Sequence, residues 1–245
     1  MNDDRFRMTR INFHIKFPDT GEHKSGIVDV PGRYTDADFQ EKAQKAIQSL
    51  NPGSAFLGMA PTFGHVHYIA GDLLEQNSDL IIAHQANCHM KMYSGIAGQL
   101  RRKYPFAVDA DINFPLSSQD RFGKCSCGFG QGTNGSYKYV YNLYGQFEPG
   151  TDTQKTDYKQ LKSALNMMME HLHMRGIDDS FSHIGVPYKL GCGLAGGHWP
   201  KVEEILQEVA AEHQRDIYVY VLPDFVQEVF QEGESEITLP RWSKY

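Results

Sequence analysis

Residues Gly191-Cys192-Gly193-Leu194-Ala195-Gly196-Gly197 place four glycines in seven positions. Glycine lets the backbone approach a ligand closely and turn its N–H groups toward it. A loop of this kind just ahead of a helix is an anion site, suited above all to a diphosphate. The helix expected from Trp199-Pro200 would add the positive end of its dipole, and proline fits its first position. The plainer reading is a turn that packs helix against sheet. A second stretch, His84-Gln85-Ala86-Asn87-Cys88, ends an apolar run in polar residues, and Ser94-Gly95-Ile96-Ala97 then opens a helix. Ile69-Ala70-Gly71-Asp72-Leu73 sets an aspartate just past a strand, where it caps a turn or meets a ligand. Three histidines in these stretches, His84, His89 and His198, carry the ring that moves protons near neutral pH.

The elements that must hold these loops follow from periodicity. Ile11, Phe13, Ile15 and Phe17 alternate with polar residues as a half-buried strand does, and Pro18–Gly21 reads as a turn before a second strand at 26–30. Thr35, Asp36, Ala37 and Asp38 offer a helix cap and an acidic first turn. Phe39, Ala43, Ala46, Ile47 and Leu50 follow at helical spacing, and Asn51-Pro52-Gly53 stops the helix. Residues 1–60 thus read as a ββα extension, joined by a Gly/Pro-containing connector that runs to about Gly64. From His65 strands and helices alternate: strands at 66–70, 80–83, 137–144, 181–187 and 217–222, helices around Ile96–Leu100, Tyr158–Leu172 and Val202–Ala210. Residues 106–135 look like a long loop, Met167–Met169 like core filling, and 226–245 like a charged, irregular tail. This alternation predicts an α/β fold, a three-layer α/β/α mixed sheet that is mostly parallel.

A net charge of −6 argues against general nucleic-acid binding, which needs a basic face, while leaving a small anion bound by backbone amides open. Cys125-Ser126-Cys127 lacks the C-x-x-C spacing of zinc and redox sites, so neither a metal nor another cofactor is expected, and the cysteines read as free thiols. The first residues carry no apolar signal region and no apolar run of 18 residues exists. The expectation is a cytoplasmic protein that does not engage a membrane.

Gly191–Gly196 also matches G-x-G-x-x-G, the dinucleotide fingerprint. That motif opens its domain in the first strand–helix turn, whereas here only one helix and one clear strand follow. A P-loop is excluded by the missing G-K-[ST]. A nicotinamide-dependent oxidoreductase therefore ranks last.

Taken together, the three stretches resemble a macrodomain, the ADP-ribose-binding module, over roughly residues 65–225. The resemblance implies that Asp72, with Leu73, holds the adenine amino group. It implies that Asn87 and Ser94, Gly95, Ile96 and Ala97 surround the distal ribose and phosphates. It makes Gly191, Cys192, Gly193, Leu194, Ala195, Gly196 and Gly197 a second phosphate loop, similar to the branch that includes ADP-ribose 1″-phosphate phosphatases. Gln146, at the end of Asn142-Leu143-Tyr144-Gly145-Gln146, is similar to a glutamine near the distal ribose. Phe225, just past the last strand, stacks on adenine or packs on the core edge. Met90 and Tyr93 stand where the family loop has glycine, so crowding or a reshaped loop is expected. His198 replaces an aspartate, and Ala195 stands where a de-ADP-ribosylating branch has its catalytic aspartate, so that covalent chemistry is not expected.

Two functions follow. The first is a hydrolase of ADP-ribose derivatives, with ADP-ribose 1″-phosphate as first substrate, His198 as acid or base, and Asn87 and Gln146 orienting water or ribose hydroxyls. The second is a non-catalytic reader or sink of ADP-ribose. The extension covers a sheet edge, caps the cleft or binds a protein partner; the residues do not choose.

Overall fold

The computed structural model describes residues 8–31, 37–61, 64–132, 135–177, 183–231 and 234–239. Thr35, Asp36 and Phe181, which entered the sequence reading, lie outside the described residues, as do 133–134 within the expected long loop and 240–245 of the expected tail. The chain divides into two compact units, residues 1–65 with 210–216 and residues 66–209 with 217–245.

In the first unit β1 (Met8–Lys16), β2 (His23–Pro31) and β3 (Ala55–Pro61) form an antiparallel sheet in the order β2-β1-β3. Ile11, Phe13 and Ile15 alternate inward and meet Phe39, Ala43 and Ile47 of α1 (Phe39–Leu50) in one apolar cluster. Asn51 ends the helix: its Nδ2 donates to the Ile47 carbonyl at 3.0 Å and its Oδ1 accepts from Lys24 Nζ at 2.8 Å. The expected connector to Gly64 is corrected here, because most of it is β3, paired with β1. Gly58 and Pro61 hid this strand in the sequence; a strand at the sheet edge tolerates both.

In the second unit seven strands run in the order β10-β4-β9-β8-β5-β7-β6. β4 (Val66–Ala70), β9 (Ile217–Val221), β8 (Ile184–Pro187), β5 (Leu80–Asn87) and β7 (Tyr137–Gln146) are mutually parallel. Antiparallel β10 (Glu236–Leu239) and β6 (Cys125–Gln131) close the two edges. All eight residues of β5 are buried, as a strand covered on both faces requires. On one face α2 (Gly95–Lys103) and α3 (Pro105–Ile112) bring Leu100, Tyr104 and Ala107 onto Leu80, Ile82 and Val140. α5 (Tyr158–Arg175) packs against β7 and buries Leu161, Leu165, Met168, Met169 and Leu172. The expected loop over 106–135 is replaced by α3, the short α4 (Ser118–Arg121) and β6, and the expected irregular tail by α7 (Val226–Val229) and β10. Glycine at 128 and 130 disguised β6; an added Cβ at Gly128 would lie 2.3 Å from the Phe106 carbonyl, so the small residues are what let α3 lie on the strand.

Candidate functional site

The five parallel strands deliver their carboxyl ends to one edge of the sheet, the edge at which open α/β sheets bind ligands. The segments that follow them wall a cleft of about 520 Å³, within the range of small-molecule sites. Asp72 follows β4, Asn87 ends β5, Gln146 ends β7, Tyr188 follows β8 and Phe225 follows β9; all line it.

Asp72 caps the turn Leu73–Glu75, its Oδ1 accepting from Leu74 N–H at 2.8 Å. Among the described residues its Oδ2 has no hydrogen-bond partner. Leu73 is buried in the core beneath and also lines the cleft. The Phe225 ring stands 5.9 Å from that of Tyr188. Lys189 Nζ lies 4.6 Å from the Phe225 ring centre and donates to Glu228 Oε2 at 2.8 Å. That bond raises the Lys189 ammonium above its ordinary pKa.

Two runs of backbone N–H groups line the cleft. Gly95, Ile96 and Ala97 form the first turn of α2, where the Gly98 N–H to Ser94 carbonyl bond, 3.0 Å, is the first helical one. Ser94 makes no side-chain cap, so these three amides are left to the cleft, as helix starts leave them. Among the described residues, the N–H groups of Gly193, Leu194 and Ala195 likewise find no acceptor. The Gly197 N–H closes the glycine loop on the Gly191 carbonyl at 3.0 Å, and Lys155 N–H holds the Ala195 carbonyl at 2.8 Å.

A buried network fixes this loop to the strand ends. Gln146 Nε2 donates to the Glu148 carbonyl at 3.1 Å, so its Oε1 faces Gln85. Thr156 Oγ1 donates to the Gly191 carbonyl at 2.6 Å, so it accepts from Gln85. Gln85 Nε2 serves both, at 3.0 Å to Gln146 and 2.9 Å to Thr156. Gln85 lies in the second ligand stretch of the sequence without a role of its own there, and Thr156 lies outside all three stretches. Thr156 carries no local signal, because its partners lie 71 and 35 residues away.

Asn87 lines the cleft, but its amide is committed to its own loop. Oδ1 accepts from His89 and Lys91 N–H at 3.0 and 3.2 Å, and Nδ2 donates to the Lys91 carbonyl at 2.9 Å. The crowding expected from Met90 and Tyr93 does not occur. Met90 adopts the left-handed backbone, φ 60°, that glycine would take, and both side chains are exposed outside the cleft wall. Tyr93 instead receives Arg101, 5.1 Å from its ring centre.

Several candidate residues stand away from the cleft. His198 is exposed at the start of α6 (Trp199–His213); its N–H donates to Tyr158 Oη at 2.9 Å and its carbonyl accepts from Lys201 and Val202. Its ring is not in the wall, and neither are Cys192, Gly196, Gly197, Trp199 and Pro200. At this end the wall is made by the loop residues 193–195 with their free amides and not by the first turn of α6. Burial pushes the Cys192 thiol up to about 11, and its Sγ faces the Leu190 carbonyl. His89 packs its ring on Phe147.

His84 belongs to the core beneath the site. Asn142 Nδ2 donates to the Ala107 carbonyl, which turns its Oδ1 to His84 Nε2 at 2.7 Å. Burial lowers His84 to about 4, against the raising effects of Asn142 and the Gln85 carbonyl. The network continues through Ser126 and Tyr144 to Asp111, which meets Arg121 at 3.0 Å. Burial raises Asp111 against the lowering effects of Tyr144 and Arg121. These bonds cross between β5, β6, β7 and α3 and hold the strand ends in register.

The family model described as Macro domain matches residues 83–206. A relative, the "Uncharacterized 17.5 kDa protein in tk-vs intergenic region" of Enterobacteria phage T4, is 30% identical over 149 residues, 60% of this chain and 91% of the phage protein. Among solved structures, a protein of unknown function from Bacteroides thetaiotaomicron is 23% identical with a TM-score of 0.50, covering 64% of this chain and 98% of that one. The macrodomain of Mycobacterium tuberculosis DarG is 20% identical with a TM-score of 0.49, over 63% and 96% of the two chains.

Proposed function

The chain belongs to the macro domain family, and from that membership and the geometry of the cleft we propose that it binds ADP-ribose or a close derivative, as a reader or sink rather than a hydrolase. The two runs of unpartnered amides, 95–97 and 193–195, carry this reading. They are donors without countercharge, which a diphosphate satisfies and a neutral ligand does not. Asp72 Oδ2 then accepts from the adenine amino group, with the Phe225 ring beside the base.

The lining chemistry favours binding over turnover. The titratable side chains in the wall are Asp72, Lys91, Tyr188, Lys189 and Tyr220. Burial raises both tyrosines, so they hold their protons at neutral pH. His198 lies outside the wall, and the Asn87 and Gln146 amides are engaged in the loops they shape. General acid–base catalysis needs a group within hydrogen-bond reach of the reacting proton, and no histidine is among the residues of the wall.

The test is a calorimetric titration with ADP-ribose beside AMP and NAD, followed by phosphate release from ADP-ribose 1″-phosphate in the same preparation. The expected result is ADP-ribose binding at least tenfold tighter than AMP, with phosphate release equal to the buffer blank. Absence of ADP-ribose binding refutes the proposal. Release above the blank, abolished in His198→Ala, restores the hydrolase.

A further inference from the structure

A second groove, of about 640 Å³, runs along the outer edge of β6, the last strand of its sheet. The Gly132 N–H to Ser136 carbonyl bond, 2.8 Å, sets the phase of the β6–β7 ladder. Even-numbered residues of β6 exchange bonds with β7, so the peptide groups of Cys127 and Gln131, neither of them buried, point away from it, toward the open side. α3 packs on the face that carries Gly128 and Gly130. α5 packs on the opposite face, where Tyr141 Oη meets His171 Nδ1 at 2.6 Å. The groove is walled by Asn113 and Pro115 after α3 and by Met167, His171 and Arg175 of α5, and its floor is β6 from Cys125 to Phe129 with Tyr139 and Tyr141 of β7 beside it.

Natural sheets block such an edge with charge or proline. β6 reads Cys-Ser-Cys-Gly-Phe-Gly-Gln and carries neither. Beside it the rings of Phe129 and Tyr137 stack at 5.5 Å and stand half exposed. The Arg175 side chain is exposed and forms no hydrogen bond or ion pair with any described residue, and no Asp or Glu is among the described lining residues. On a chain of net charge −6 this is a locally cationic, apolar slot.

We propose that the groove docks an extended peptide segment of another protein, which pairs with β6 as an added strand and places a carboxylate side chain on Arg175. Strand addition draws its affinity from main-chain bonds and its specificity from alternate side chains. A second copy of this chain fits less well. Two-fold antiparallel pairing centred on Cys127, which lines the groove with this cation and feels its charge, would set the two Arg175 side chains against each other.

The probes are two fluorescein-labelled decapeptides of alternating valine and threonine, one with a central glutamate and one with a central lysine, titrated by anisotropy into the full chain. The glutamate peptide is expected to bind at least tenfold tighter than the lysine peptide, Arg175→Glu to reverse that order, and binding to slow hydrogen exchange at Cys127 and Gln131. No binding of either peptide, or equal binding of both, overturns the proposal. So does self-association in sedimentation that competes with the peptide, which would make this face an interface between copies.

Discussion

Alanine at position 191 loads the point where the glycine loop is clamped to the sheet. Gly191 has φ +68°, a conformation that costs an L residue roughly 1–2 kcal/mol. The added Cβ would lie 2.5 Å from Gln85 Oε1 and 3.0 Å from Thr156 Oγ1. Both belong to buried side chains held by the network, so relieving the overlap breaks one or two hydrogen bonds at about 1 kcal/mol each. The sum is roughly 2–4 kcal/mol of lost stability, against a total of about 5–15 for a typical domain. Gly193 is the control in the same loop: it has no positive φ and nothing within 4 Å of an added Cβ. Gly193→Ala should stay within about 1 kcal/mol of the parent. Urea unfolding measures both, and calorimetry should show ADP-ribose at least tenfold weaker in Gly191→Ala because the 193–195 amides move with the clamp. Equal urea midpoints for the two variants would refute the clamp, whatever the ligand proves to be.

Three further outcomes are expected. His84, held near 4 when folded against 6.5 in the unfolded chain, is neutral in the fold while the unfolded chain takes up a proton, so stability falls as pH drops through that window, by at most about 3–4 kcal/mol. His84→Gln should flatten the pH dependence of the urea midpoint between pH 6.5 and 4; an unchanged slope counts against it. Arg121→Met leaves the buried Asp111 carboxylate without its cation and should cost about 3–5 kcal/mol in urea unfolding, with a cost below 1 kcal/mol contradicting the pairing. Asp72→Asn keeps the cap on Leu74 and removes the charge, so ADP-ribose affinity should fall at least tenfold with an unchanged melting temperature. A matching fall in melting temperature would assign Asp72 to the fold.

The sequence by itself determined the parallel core and its loops, because those signals are local. Apolar runs such as Leu80–Ala83 and the helical stripe through Leu161, Leu165, Met168 and Leu172 mark their elements wherever they fold. Four glycines between a strand and a helix, and a serine before Gly95, mark places where backbone amides go unsatisfied. Tertiary structure alone decided the rest. β3, β6 and β10 are edge strands, two of them interrupted by glycine or proline, whose only reason to be extended is the partner they pair with. The clamp through Gln85 and Thr156 joins groups separated by dozens of residues, so no window of sequence contains it. His198 and Asn87 look alike in sequence, as polar residues in ligand loops. Only the fold turns one out at the start of α6 and spends the other on shaping the loop that holds Met90 in a glycine's conformation.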